Sequence, residues 1–456
     1  MLIMIVAVPQ GKAASRERSP WHRRRGDALI LRMMVYSALL TAVLVLGAPY
    51  WLVRMLTGGR YRAGLAGRLG RLPDRLRAAV AEREVIWLHA VSVGEVLAAT
   101  RLIEELKLAL PGVVVAVSTT TETGQELAQR RFPEMPVFYL PLDFAFLMKR
   151  TLRVLRPRLV VLMESELWPN MIQECARAGV PMAVVNARIS DRSFPRYLRL
   201  RRLWRPLLEQ ISMFLAQSEE TAERLLRIGV RPERVQMTGN LKYDVQAEKD
   251  TAVVQLLRYH LPANVRVLLC GSTLEGEETL LLAAWREIAA ALPQAVLIVA
   301  PRHPARFAAV DTLLRETKRP VIRASGFVAR PEAIPPGGMV LLDTIGDLAT
   351  ACALADVVFI GGSLVPLGGH NPLEPAQFGV PVVMGRSYEN FREIVEAMRA
   401  EEAIRIVSAE ELGPTLAKLL RDPAEARALG DRGRRVFTSR AGATRRVVEE
   451  LMRLLR

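Results

Sequence analysis

At 456 residues the chain is too long for one ordinary hydrophobic core, so two domains of about 150 to 200 residues are expected. Its 63 lysines and arginines against 47 aspartates and glutamates, a formal charge of +16, call for an anionic partner or surface, either nucleic acid or anionic lipid. Three cysteines, Cys175, Cys270 and Cys352, stand far apart with no CxxC and no histidine at ligand spacing, which excludes a disulfide or zinc framework and reads as reduced core residues in a cytoplasmic compartment.

Residues 1–32 form a basic, Arg-rich extension without periodicity, expected to be disordered or to precede a start at Met33 or Met34. Met33 to Val53 then carries no charge, and 21 residues at 1.5 Å rise cover about 31 Å, the thickness of a hydrocarbon core. Arginines bracket this segment, from Arg23, Arg24, Arg25 and Arg32 before it to Arg54, Arg60, Arg62 and Arg68 after it, so the charge distribution favours lipid over nucleic acid. No small-residue cleavage site follows, and Pro49, Tyr50 and Trp51 resemble an interfacial end, so the segment is expected to be a retained anchor and not a signal peptide. Its arginines on both flanks leave orientation open; the lack of a disulfide pattern places the body on the cytoplasmic side.

From Val85 short apolar runs alternate with amphipathic segments. Strands are expected at Val85–Ala90, Val113–Val117, Leu159–Met163, Met182–Val185, Met213–Ala216 and Val235–Met237, with helices between them such as Glu95–Leu110. A polar linker over 246–262 follows, and the pattern restarts at Val265–Cys270, Ala295–Ala300, Val340–Leu342, Val357–Ile360 and Val382–Met384. This alternation predicts two doubly wound parallel sheets, one in a domain over 54–245 and one in a domain over 263–435, with a basic C-terminal helix in 436–456 packing back on the first. Ligands of such sheets bind at the carboxyl ends of strands, which here carry His89 to Glu95, Glu164 to Asn170, Asn186 to Arg188 and Gly239 to Asp244 in the first half. In the second half they carry Gly271 to Thr273, Pro301 to Pro304 and Asp343 to Asp347.

The densest of these signals is Gly361 to Glu374, GGSLVPLGGHNPLE, between a buried strand and a short helix. Asn371, Pro372 and Glu374 are spaced as a capping box, which explains part of it. Two Gly-Gly pairs seven residues apart are not explained by capping, and they suggest a loop whose backbone N–H groups converge on an anion, a nucleotide phosphate, with the ribose beside it. The first half offers carboxylates and a lysine, suited to proton transfer, and the second glycine, Arg302 and hydroxyls, suited to a nucleotide. That division is what a transferase needs.

The segments SVGEV, ESELWPN, NARISDRS, GNLKYD, PRHP and GGSLVPLGGHNPLEP, in this order and spacing between about Trp87 and Arg386, resemble the 3-deoxy-D-manno-octulosonic acid (Kdo) transferases of lipopolysaccharide assembly. The resemblance implies an α/β GT-B fold of two Rossmann-like domains facing a cleft and an N-terminal membrane segment over 33–53 at the cytoplasmic face of the inner membrane. It implies CMP-Kdo as donor and co-substrate, the lipid A precursor (lipid IVA) as acceptor, and inverting transfer with no metal and no cofactor. It makes Glu95 the general base, and Glu164 and Lys242 transition-state stabilisers. CMP falls to Pro301, Arg302, Ile345, Gly346, Asp347, Asn371, Pro372, Leu373 and Glu374, although the family commonly has glutamate where Asp347 stands.

Structural explanations stand beside these. An acid at a helix N-terminus such as Glu95 stabilises the dipole, and that position is expected to lower its pKa. The Glu164-x-Glu166 pair could mimic a metal-binding DxD, which occurs nowhere in the chain, and Lys242 could be a surface lysine. Arg196, Arg199 and Arg202, among apolar neighbours, fit an acceptor site, a helix on anionic membrane or a merely solvated face. The competing functions are a GT-B transferase of another nucleotide sugar with a membrane acceptor and a non-enzymatic basic membrane-bound protein. Few aromatics and acidic or glycine-rich loops count against a nucleic-acid partner.

Overall fold

A computed structural model describes residues 20–58, 64–245, 247, 251–327 and 329–456. By their contacts these fall into two compact units, one running to Thr238 and including Val447–Arg456, the other Gly239–Arg446. Each is built on a seven-stranded, wholly parallel sheet.

The first sheet contains β1 Val85–His89, β2 Val114–Thr119, β3 Val137–Tyr139, β4 Pro157–Met163, β5 Met182–Ala187, β6 Met213–Ala216 and β7 Val235–Met237, in the order β3-β2-β1-β4-β5-β6-β7. The second contains β8 Val267–Thr273, β9 Val296–Pro301, β10 Val321–Arg323, β11 Met339–Leu341, β12 Val357–Ile360, β13 Val382–Met384 and β14 Arg405–Ile406, in the order β10-β11-β9-β8-β12-β13-β14. Central strands β1, β2, β8 and β9 are buried along their whole length, so their runs of Val, Ile and Leu show no alternation, as expected of strands covered on both faces. The order in which successive strands are added reverses between β1 and β4 in the first sheet and between β8 and β12 in the second. These are the two switch points, where connections leave in opposite directions and open a crevice.

Three strands escape the periodicity reading. β3, β10 and β14 are two or three residues long, only partly buried and sit at or next to sheet edges, too short to show a pattern. The segment expected as a linker contains a helix, Ala252–His260, because Val254 and Leu257 share one face and are fully buried in the second unit's core. Residues 1–19 of the basic extension lie outside the described residues; from Pro20 the chain is helical and runs unbroken through the apolar segment to Gly58. Near the C-terminus a helix Pro423–Ser439 precedes Ala443–Leu455.

Helix Pro423–Ser439 lies so close to the β13 side of the second sheet that a Cβ on Gly430 would meet the Gly379 carbonyl oxygen at 1.8 Å. Backbone offers no soft neighbour to yield. Gly430→Ala is therefore expected to destabilise the second unit by at least about 1–3 kcal/mol, read as a lowered midpoint in denaturant unfolding of the full chain; an unchanged midpoint would show that the helix can slide away.

Candidate active site

In the first unit β1 ends at His89, three residues make the turn, and helix Val93–Ala109 carries Glu95 in its first turn. Glu95 is 7% exposed. Its Oε2 accepts from the Val91 N–H at 2.7 Å and its Oε1 from the Ser92 hydroxyl at 3.3 Å. Burial, and after it the neighbouring Glu164 carboxylate, push its pKa up to about 8, and the two hydrogen bonds only partly oppose this. The lowered pKa expected from the helix N-terminus is thus reversed: desolvation acts on the whole charge, the dipole on a fraction of it.

Glu164 comes from the strand across the switch point. It follows β4 directly, its N–H donates to the Val185 carbonyl at 2.9 Å, and its φ of +54° lies in the left-handed region. Glu166 stands on the exposed rim beside it, where partial desolvation and then Glu164 raise its carboxyl above the usual value. The loop after β5 is tied to the same place by the Arg188 N–H, which donates to Ser165 Oγ at 3.0 Å. Glu95, Glu164 and Glu166 therefore form one acidic cluster. Among the described residues no group of three or more His, Cys, Asp or Glu is placed to hold a metal ion.

His89 ends β1 fully buried. Its Nδ1 lies 3.1 Å from the Ser118 carbonyl oxygen, which can only accept, so Nδ1 carries the proton; Ser118 Oγ, 2.9 Å away, also accepts from Trp87 Nε1. Burial holds the ring neutral with a pKa of about 4 and leaves Nε2 without a partner, 6.0 Å ring to ring from Trp168.

Arg196, Arg199 and Arg202 are all exposed on helices Phe194–Arg199 and Arg201–Leu208, with Leu200 and Leu203 exposed among them. Tyr197 and Trp204, rings 5.4 Å apart, pack inward against the core. The long N-terminal helix touches this corner: Arg32 Nη1 donates to the Arg202 carbonyl at 3.3 Å, Tyr36 hydrogen-bonds Asp143, and Asn170 Nδ2 donates to Ser37 Oγ at 3.2 Å.

Lys242 belongs to the second unit, on the turn Leu241–Asp244. Asn240 Oδ1 accepts its N–H at 3.0 Å, and its Nζ stands 5.2 Å from the centre of the Phe391 ring, a cation–π contact. Asp244 closes this turn by accepting from the Gly442 and Thr444 N–H groups at 2.6 and 2.5 Å.

The remaining expected residues follow β9 and β11 and lie along the loop after β12. Pro301 ends β9 buried, and exposed Arg302 follows, its N–H donating to the Thr273 carbonyl at 3.0 Å. Ile345 is 64% exposed, Gly346 has φ +101°, and buried Asp347 precedes helix Leu348–Ala351 without capping it through its side chain. Asn371 Oδ1 accepts from the Leu373 N–H at 3.2 Å, and Asn371 Nδ2 reaches Glu374 Oε1 at 3.5 Å. Helix Leu373–Ala376 thus starts after Pro372, one residue later than the capping-box spacing suggests. Burial pushes the Glu374 carboxyl up to about 7 against the opposing pull of Asn371 and Arg302, and burial, then Arg302, hold His370 at about 4. Arg302, His370 and Glu374 are therefore electrostatic neighbours.

The glycine loop differs from expectation. Its first amides do converge on an anion, but that anion is Glu277, a residue the sequence reading missed: Gly362, Ser363 and Leu364 donate to its carboxylate at 2.7 to 2.9 Å. The only local signal was an acid in the first turn of helix Glu277–Ala291, indistinguishable from dipole stabilisation.

A family model described as 3-deoxy-D-manno-octulosonic-acid transferase matches residues 63–245. A 3-deoxy-D-manno-octulosonic acid transferase of Haemophilus influenzae is 34% identical over 396 residues, 86% of this chain and 91% of its own length. One from Bordetella pertussis is 33% identical over 88% of this chain and 94% of its own length. In fold, a UDP-GlcNAc 2-epimerase from Neisseria meningitidis covers 81% of this chain and 100% of its own at TM-score 0.56 and 13% identity, and a glycosyltransferase from Rickettsia africae 82% and 99% at 0.53 and 12%. These two support the GT-B-like fold alone. With two relatives above 30% identity along nine-tenths of their length, the chain belongs to the Kdo transferase family and is a glycosyltransferase.

Proposed function

We propose that this protein transfers Kdo from CMP-Kdo to a hydroxyl of the lipid A precursor at the cytoplasmic face of the inner membrane, with Glu95 as general base. The observation that carries the reading is a carboxyl at a switch point, buried, with two hydrogen-bond donors and a carboxylate neighbour, whose pKa is pushed to about 8. A base near the working pH combines a usable ionised fraction with high proton affinity. The acceptor oxygen attacks the anomeric carbon from the face opposite the phosphate, its proton passes to Glu95, and the bond to the phosphate oxygen breaks, releasing CMP with inversion. Glu164 stabilises positive charge developing on the sugar; Lys242 and Arg302 take up the negative charge on the departing phosphate. Asn371 and Glu374 suit the ribose hydroxyls, and Ile345 to Asp347 offer an exposed backbone beside them.

The apolar helix supports membrane attachment, and its connections constrain how. Residues 32–37 are held against the first unit, and Gly64 sits tightly on Tyr139 of the same unit. From Ser37 to Gly58 the helix rises about 31 Å. The six residues from Gly58 to Gly64 reach back at most about 22 Å. A helix standing along the bilayer normal could not return its chain to a unit lying wholly outside the membrane. We therefore read it as a monotopic anchor lying in the interface, with the exposed arginines and leucines of 196–203 facing anionic lipid, rather than as a membrane-crossing segment.

Transfer from CMP-Kdo to lipid A precursor in detergent should fall about 10²- to 10⁴-fold in a folded Glu95→Gln protein. Because the base acts only when deprotonated, wild-type kcat/KM should rise about tenfold per pH unit below about pH 8 and level above it. Glu164→Gln removes the largest like charge on Glu95, so its profile should level at lower pH while its maximal rate drops. An inflection that Glu164→Gln leaves in place would assign it to another group. For the anchor, a spin label on Val45→Cys, which is 65% exposed in the wild type, should report a depth of about 5–10 Å in vesicles; a label at the bilayer centre would restore a membrane-crossing helix.

A further inference from the structure

At the switch point of the second sheet, β8 leads into helix Glu277–Ala291 and β12 into the glycine loop, and the divergence should open an anion-binding crevice. The protein fills it with its own side chain. Glu277, with no exposed surface, accepts at Oε2 from the N–H groups of Leu274 at 2.9 Å and Gly362 at 2.7 Å, and at Oε1 from those of Ser363 and Leu364, both at 2.9 Å. Gly361 can be nothing larger, since a Cβ there would lie 2.8 Å from Glu277 Oε2 and 2.5 Å from the Ser272 carbonyl oxygen.

The shape set by these four bonds is passed along the loop. Ser363 Oγ donates to the Ile360 carbonyl at 2.5 Å and accepts from the Gly385 N–H at 2.8 Å, and the Gly369 N–H closes on the Gly362 carbonyl at 2.8 Å. The space above Gly362 is taken by the His370 ring, 3.0 Å from where a Cβ would stand, and Asn371 follows directly. The position of Asn371 and Glu374 thus depends on a loop whose amides are already occupied.

We infer that Glu277 is a positioning residue for donor binding: its carboxylate stands permanently where a ligand anion would otherwise sit, holds the glycine loop in its binding shape, and leaves the donor's anionic groups to other residues. The inference rests on the reading that this unit binds a cytidine nucleotide. It adds that the amides of 362–364 take no part in holding the phosphate.

Two measurements on the full chain in detergent test it. Hydrogen exchange on the wild type, with and without CMP, should find the amides of 362–364 slow before ligand is added and unchanged after, while the segment 344–348 slows on addition. Free exchange at 362–364 that slows only with CMP would overturn the inference, because the nucleotide would then be their partner. Slow exchange at 362–364 with no effect of CMP anywhere would leave the role of Glu277 in the loop standing and sink the nucleotide reading. Glu277→Gln points an NH₂ group at amides that are themselves donors, so its donor KM should rise about tenfold to a hundredfold with kcat little changed. A folded Gln variant with wild-type donor KM, or one that loses kcat alone, would overturn the positioning role; if the variant does not fold, the exchange experiment on the wild type still decides.

Discussion

A carboxylate taken out of water must be met by hydrogen-bond donors or by a proton, and this molecule is organised around how that demand is met at each buried acid. Glu277 meets it with four backbone amides. Glu278 beside it is met at Oε1 alone, by the Thr273 hydroxyl and the Arg306 guanidinium at 2.9 and 2.6 Å, and its Oε2 has no partner. Asp143 accepts the first two amides of helix Pro169–Ala178 at 2.9 and 2.8 Å, and burial still raises it to about 6. Glu95, and Glu374, which keeps some exposed surface, have fewer or longer bonds and are pushed further, to about 8 and about 7. The well-provided acids build the scaffold. The under-provided ones are those whose carboxyls are raised toward neutrality.

The two switch points have been put to opposite uses. In the first sheet the ends of β1 and β4 gather three carboxylates into one cluster. In the second the ends of β8 and β12 are locked together through Glu277, and the expected nucleotide residues stand one and two strands outward, after β9 and β11, and further along the loop that Glu277 shapes. Filling the crevice from within removes the competition of free phosphate for that place and makes the loop rigid before any ligand arrives, which lowers the ordering entropy charged against binding.

Much of this was legible in the chain because parallel sheets put all carboxyl ends on one edge: once Val85, Leu159, Val267 and Val357 are recognised as beginning or lying in strands, the polar residues that follow are candidates by position. What stayed hidden depended on distance in sequence or on a balance of magnitudes. Glu277 meets Gly362 across 85 residues, so no local pattern announces the pair. Of the causes that set the pKa of Glu95 only the helix N-terminus is visible in sequence; the burial that decides the sign and the Glu164 carboxylate that adds to it come from the fold. The helix at Ala252–His260 was hidden by its polar surroundings, although two buried residues suffice to dock it. The roles proposed for Lys242, Arg302 and Asn371 come from the family pattern.

Backbone strain independently marks the same edge. Among the described residues eight non-glycine residues have positive φ, and five of them, Glu82, Arg156, Asn264, Lys318 and Glu402, lie where helices or turns end. The other three are Glu164 after β4, Asn186 within β5 and Ser272 within β8. At Asn186 and Ser272 the strand register also shifts, so one residue is out of step and its side chain is turned from the pleat. A left-handed non-glycine residue costs about 1 kcal/mol or more and persists only where its surroundings impose it. Glycine would take each conformation without strain, so the backbone alone does not call for these residues. What glycine could not supply is the carboxylate, amide or hydroxyl that each residue carries at a strand's carboxyl end, and that is the reason for a polar side chain to be held there against its own backbone preference.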